Sequence, residues 1–167
     1  MLFEEIVVCG CGNPLYADDG FGPAVVEEVK EKYSNLIPAN VKIIDAGLGA
    51  PHFLFNLIEN SSEVPVKRII IIDIADFGGI PGQLALLDVN DLPPGTYRDV
   101  HSWDLTEPLH RLKSTIDITI IGCQPKRVTR PDFEIGLTDE VKAAIPKAIS
   151  TLFELLGVYH GTSRVAI

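Results

Sequence analysis

The feature that most constrains this sequence is a run of four isoleucines, Ile69 to Ile72, within the segment Arg68–Ile74. A strand with one face in water alternates apolar and polar side chains. A run that is apolar on both faces instead predicts a central strand covered from both sides, which is typical of parallel sheets between two layers of helices. We therefore expect a three-layer α/β fold.

Short segments rich in Ile and Val alternate with segments of helical period along the rest of the chain. They predict four further strands: Glu5–Cys9, Val41–Asp45, Gln83–Leu87 and Asp117–Gly122. Gln83–Leu87 follows the third strand after only a short turn, so we expect it at an edge of the sheet. The prediction is a mostly parallel, twisted sheet of about five strands with helices on both faces.

Four segments are predicted to be helical. They are Phe21–Tyr33, Pro51–Glu59, Ser102–Leu112 and Thr138–Gly157. Within the third, Pro108 must kink the helix or move its start to about Thr106. Thr138 is expected to be the N-cap of the last helix, and Gly157 is expected to end it.

Composition excludes several classes of protein. The 167 residues include 23 acidic and 14 basic side chains, for a net charge of -9, which disfavours binding to nucleic acid or to anionic membrane surfaces. No stretch approaches the roughly 20 apolar residues of a membrane span, and the N-terminus is acidic where a signal peptide would be basic. We expect one domain, residues 1–167, that stays in the cytoplasm.

The three cysteines, Cys9, Cys11 and Cys123, form an odd set without a C-x-x-C pair. This spacing argues against a disulfide framework and against a standard zinc site. All three lie in or beside apolar runs, so they are predicted to be buried free thiols.

Sites in α/β folds of this kind lie at the carboxyl ends of the strands, and the glycine-rich segment Gly10–Gly22 follows the first strand. A dinucleotide-binding fingerprint would place its third glycine at Leu15, and a phosphate loop would need a lysine that the segment lacks. The segment instead carries two adjacent carboxylates, Asp18 and Asp19. One of them is expected to cap the following helix, which leaves the other without a structural role.

Carboxylates also end the next two strands. Asp45 closes the second strand, and Asp73 follows the isoleucine run with Asp76 close behind. A carboxylate so near an apolar core tends to have a shifted pKa or a ligand, which makes Asp73 the stronger candidate for a functional role.

The four histidines divide into two groups. Three are interpreted as surface or packing residues: His52, His110 and His160. His101 differs because it lies beside the only tryptophan, at the approach to a predicted helix. With Asp19 and Asp73 it would offer two oxygens and one imidazole nitrogen, an open three-ligand site suited to a divalent transition metal. Because the chain has no G-x-S-x-G and no H-E-x-x-H, any hydrolysis would have to be metal-assisted.

The segment Gly10–Gly22 is similar to the N-terminal motif of the hydrogenase maturation proteases, the C-terminal endopeptidases that process the large subunit of nickel-iron hydrogenases. The resemblance continues through nearly the whole chain, at Ile43–Gly47, Ile71–Ala75, Pro81-Gly82, Val100-His101, Ile121–Pro125 and Ile135–Thr138. It implies a twisted sheet with helices on both faces.

The resemblance also implies roles for three residues. The metal-contacting second member of the acidic pair falls on Asp19, the second ligand on Asp73 and the third on His101. They would recognise nickel that is already inserted into the hydrogenase large-subunit precursor, after which a short C-terminal peptide is removed. The nickel would thus be brought by the substrate.

Two short segments refine the resemblance. Asn13-Pro14-Leu15 and Phe21-Gly22-Pro23 look more like the members that act on the archaeal deazaflavin (F-420) reducing hydrogenase. Two other functions stay open from sequence. One is a small nucleotide- or flavin-binding module, against which the failed fingerprint counts, and the other is a non-catalytic nickel metallochaperone that uses the same three residues.

Overall fold

The computed structural model describes residues 4–47, 58, 66–91 and 106–158. Within these ranges the strands are β1 Ile6–Gly10, β2 Val41–Asp45, β3 Arg68–Ile74, β4 Leu84–Leu87 and β5 Asp117–Cys123. The helices in the same ranges are α1 Phe21–Lys32, α2 Thr106–Lys113, α3 Asp139–Ala143 and α4 Ile145–Leu156. Short 3-10 turns lie at Ala17–Gly20, Ser34–Leu36 and Val89–Asp91.

The strands form one sheet in the order β2-β1-β3-β5-β4. The first four strands of this order are parallel, and β4 pairs antiparallel with β5 at the edge. The isoleucine run lies in β3, which is paired on both sides and buried on both faces, as predicted. The predicted fold class is confirmed.

Each face of the sheet has its own apolar layer. On one face, α1 and α4 pack against β1, β3 and β5 through Phe21, Val25, Ile149 and Leu152, with Val8, Ile70 and Ile121 beneath them. The opposite face is covered in part by α2, whose Leu112 packs with Ile58, and the sheet contributes Val7, Ile69, Ile71 and Ile120. Since β3 supplies alternate isoleucines to both layers, it needs no polar side chain in its middle.

The last predicted helix is divided in two. Thr138 precedes α3 and Gly157 ends α4 in the left-handed conformation with φ 68, as expected, but the helix breaks at Ala144. Pro146 explains the break, because it has no N–H to donate and its ring would clash with the carbonyl of Lys142 in a continuous helix.

The other helix predictions have mixed outcomes. α1 ends at Lys32, one residue before the predicted limit, and α2 begins at Thr106, which matches the later of its two predicted starts. The predicted helix Pro51–Glu59 lies outside the described residues except for Ile58, which is helical and buried. The described helices include none that is both long and apolar enough to cross a membrane.

Candidate active site

The candidate site lies where the order of the sheet reverses. β1 has β2 on one side and β3 on the other, so the connections from these strands leave in opposite directions and open a crevice at their carboxyl ends. The segment that follows β1 enters this crevice, with the N–H of Cys11 donating to the carbonyl of Ile72 at 2.9 Å. A Cβ at Gly22 would collide with the carbonyl oxygens of both residues, so glycine allows α1 to begin directly over the strand ends.

Asp18 is fully buried, and its carboxylate holds a distant part of the chain. Its Oδ2 accepts the backbone N–H groups of Lys126 at 2.9 Å and Arg127 at 2.8 Å. Its Oδ1 accepts the N–H of Thr138 at 2.7 Å and the Thr138 hydroxyl at 2.9 Å. We call residues 126–138 the clamped segment, because Asp18 ties both of its ends to the turn that carries Asp19.

The expected helix cap is therefore wrong. Neither Asp18 nor Asp19 caps α1, whose N-cap position is occupied by Gly20 without a side-chain hydrogen bond. Both carboxylates lie in the 3-10 turn Ala17–Gly20, which Ala17 enters at a positive φ of 54. This backbone conformation is costly for a residue with a side chain.

Asp19 faces the crevice. Its Oδ2 accepts a hydrogen bond from Arg130 Nη2 at 2.6 Å and from the N–H of Asn13 at 3.3 Å. The guanidinium of Arg130 also lies 5.4 Å from the centre of the Tyr16 ring. In the part of the chain that the structure describes, no hydrogen bond reaches the other oxygen of Asp19, Oδ1.

Asp73 lies near the end of β3 and is also buried. Its Oδ1 accepts the N–H of Ile74 at 2.7 Å, and no donor among the described residues reaches its Oδ2. Burial raises the pKa of Asp73 well above its usual range, and the negative charge of Asp19 raises it further, against the opposing effects of the Ile74 N–H and Arg130. Asp73 therefore lies close enough to Asp19 for the two charges to interact.

The three cysteines are free and buried, as predicted. Burial raises the pKa of Cys9 and of Cys123 to about 12. Burial also raises the pKa of Cys11, which lies close enough to Asp73 for that carboxylate to add to the effect. A raised pKa and burial both disfavour the thiolate form that a nucleophilic cysteine requires.

The remaining candidates fall in several places. His52, His101 and His160 lie outside the described residues, and His110 is exposed on α2. Asp45 ends β2, where its Oδ1 accepts the N–H of Gly47 at 3.0 Å. Within the described ranges, no three His, Cys, Asp or Glu side chains gather closely enough to hold a metal ion. Carboxylate oxygens such as those of Asp19 and Asp73 belong to the ligand types that divalent cations accept.

Sequence reasoning did not foresee the contacts of Arg130, Thr138 and Gln124, although it expected Thr138 as a helix N-cap. Arg130 and Thr138 contact residues more than 100 positions away. Gln124 follows β5, and its Oε1 accepts the N–H groups of Phe77 and Gly79 at 3.0 Å each, which organises the loop after β3. One feature of the sequence could have indicated Arg130: three basic residues within five positions follow the carboxyl end of β5 in an otherwise acidic chain.

Comparison with known proteins assigns this chain to a class. Residues 23–155 match the family model described as hydrogenase maturation protease. The chain belongs to this family.

Individual relatives agree with that assignment. Coenzyme F420 hydrogenase subunit delta of Methanothermobacter thermautotrophicus is 44% identical over 155 residues, which are 92% of this chain and 96% of that protein. A putative hydrogenase maturation protease of Methanocaldococcus jannaschii is 39% identical over 152 residues, 89% of this chain and 94% of that protein. The solved structure of the hydrogenase maturating endopeptidase HybD from E. coli matches with a TM-score of 0.70 at 26% identity, over 92% of both chains.

Proposed function

We propose that this protein is an endopeptidase that removes a short C-terminal peptide from the nickel-loaded large-subunit precursor of a nickel-iron hydrogenase. The observation that carries the proposal is the pairing of Asp19 and Asp73. Both carboxyls are buried, Asp19 in the turn after β1 and Asp73 near the end of β3, and their charges interact. Among the described residues, no hydrogen-bond donor reaches Oδ1 of Asp19 or Oδ2 of Asp73. Membership of the hydrogenase maturation protease family supports this function.

In this proposal the free oxygens of Asp19 and Asp73 contact the nickel, and His101 supplies an imidazole nitrogen. Three ligands leave open coordination positions, and a set of two oxygens and one nitrogen gives nickel no advantage over copper or zinc. Selectivity therefore comes from the substrate, because the precursor's own cysteine thiolates complete the coordination. Cleavage would therefore require that nickel is already bound in the precursor.

The attacking nucleophile in this proposal is water. The described cysteines are buried and protonated, and the chain has no serine-hydrolase motif, so a covalent intermediate on this protein is not expected. Nickel held by the precursor would polarise the scissile region as a Lewis acid.

The substrate is expected to be the large-subunit precursor of an archaeal hydrogenase that reduces the deazaflavin coenzyme. The name of the 44% identical relative, coenzyme F420 hydrogenase subunit delta, supports this choice. The resemblance of Asn13-Pro14-Leu15 to the members that act on that hydrogenase supports it as well.

The experiment incubates nickel-loaded precursor with wild type and with Asp19→Ala, Asp73→Ala and His101→Ala, and follows the size shift of the precursor by electrophoresis. Each variant is expected to abolish processing while its circular dichroism spectrum stays that of wild type. Asp117→Ala is the matched control, since that exposed carboxylate lies at the amino end of β5 and should leave processing intact. Unchanged cleavage by Asp19→Ala or Asp73→Ala in folded protein would contradict the proposal.

A further inference from the structure

Arg130 lies at the mouth of the candidate site. Its side chain is 46% exposed while that of Asp19, which it contacts through Nη2, is 6% exposed. The guanidinium therefore separates a buried carboxylate from solvent. Among the residues that the structure describes, no other cationic side chain pairs with Asp19 or Asp73.

The neighbouring cations have other partners. Lys126 Nζ lies 2.6 Å from Glu140 Oε1, and Arg127 pairs with Glu134. Arg130 alone turns toward the site, although all three belong to the clamped segment. Because each cation has a different acidic partner, a nonspecific attraction of the segment to an acidic surface does not explain the position of Arg130.

Two contacts keep Arg130 in place. Asp18 fixes the clamped segment at Lys126, Arg127 and Thr138, and the Tyr16 ring lies against the guanidinium. A cation over an aromatic face gains about 0.5–1 kcal/mol at an exposed site. Arg130 is thus held over Asp19 by Asp18 and Tyr16, which are not part of the proposed metal site.

We propose that Arg130 is a specificity-determining residue that keeps free divalent cations out of the site formed by Asp19 and Asp73. A hydrated cation would have to share Asp19 with a guanidinium that already neutralises its charge. A metal inside the precursor arrives with anionic thiolate ligands, so its net charge and its repulsion from Arg130 are smaller. This inference rests on the proposed function for the source of the metal, but its test requires no cleavage.

The test is calorimetric titration of the free protein with Ni²⁺ in low-salt buffer. Arg130→Gln should bind Ni²⁺ at least about tenfold more tightly than wild type, which corresponds to about 1.4 kcal/mol. Arg130→Lys, which keeps the charge, should behave like wild type. The gain should shrink in about 0.5 M salt, because the guanidinium is half exposed and screened.

Two controls locate the effect. Arg127→Gln removes an equal charge from the same segment but not from Asp19, and should bind Ni²⁺ as wild type does. Adding Asp19→Asn to Arg130→Gln should remove the gain. Equal affinities of Arg130→Gln and wild type, or an equal gain in Arg127→Gln, would overturn the inference. Failure of precursor cleavage alone would count against the proposed function and leave this result standing.

Discussion

Substitution of Asp18 by Asn distinguishes between two roles of this residue: holding the clamped segment, as the structure shows, and capping α1, as the sequence predicted. Asn is as good an N-cap as Asp, so a capping residue would tolerate the change at a cost below about 0.5 kcal/mol. The structure instead places four donors around the Asp18 carboxylate: the backbone N–H groups of Lys126, Arg127 and Thr138, and the Thr138 hydroxyl.

The amide can accept hydrogen bonds on only one side. If its oxygen faces Lys126 and Arg127, its NH₂ faces the N–H of Thr138; in the other orientation, two backbone N–H groups lose their acceptor. Hydrogen bonds to charged groups contribute about 1.5–3 kcal/mol each, and partial relaxation of the segment returns part of that loss. We expect Asp18→Asn to lower the free energy of unfolding by about 2–4 kcal/mol.

Urea denaturation followed by circular dichroism measures this loss, with an unchanged slope indicating that the compactness of both states is preserved. Thr138→Val removes one donor and should cost about 1 kcal/mol. Asp132→Asn, an exposed carboxylate in the same segment, should cost less than about 0.5 kcal/mol. If Asp18→Asn were as stable as Asp132→Asn, the hydrogen bonds of Asp18 to the clamped segment would not contribute to stability, and the helix-cap role would be favoured instead.

Three further predictions concern Asp73, Gly22 and the thiols. Because the folded-state pKa of Asp73 is raised, its contribution to stability is present below about pH 4 and is lost as pH rises through the folded-state pKa. The free energy of unfolding of Asp73→Asn should therefore exceed that of wild type by about 1–3 kcal/mol at pH 8 and match it at pH 4, as measured by parallel thermal melts. Gly22→Ala should cost more than about 3 kcal/mol or abolish soluble expression, whereas Gly47→Ala, whose Cβ meets nothing nearer than 3.4 Å, should cost under about 1 kcal/mol. Native protein at pH 8 should not react within minutes with a chromogenic disulfide reagent, and urea should release all three thiols; rapid reaction of the native protein would show that a cysteine is accessible.

The sheet was predictable because its signal is local. The limits of β2 and β3 coincide with those read from sequence, because each strand is a short run rich in Ile and Val. The break between α3 and α4 was missed because Val141, Ile145 and Ile149 continue one buried stripe across it. Periodicity does not register a break when both helices pack against the same face, and Pro146 was the available signal.

The site was predictable only in part, for a related reason. Asp19 lies in the turn after β1 and Asp73 near the end of β3, and the topology of a parallel sheet brings the carboxyl ends of its strands to one edge. The partners of Asp18 are 108 to 120 positions away, and Arg130 is 111 positions from Asp19. No local pattern reveals such contacts. The sequence therefore predicted the role that an acidic residue before a helix commonly has, which is the helix N-cap.

The most direct test of the proposed function compares nickel-loaded and nickel-free precursor with the same enzyme preparation. We expect a size shift only for the nickel-loaded precursor, and no stoichiometric nickel in the isolated protein. A metallochaperone would leave both precursors at full length. Tight stoichiometric nickel in the isolated protein, together with efficient cutting of nickel-free precursor, would contradict the account, because the metal would then be a resident catalytic cofactor and not a feature of the substrate.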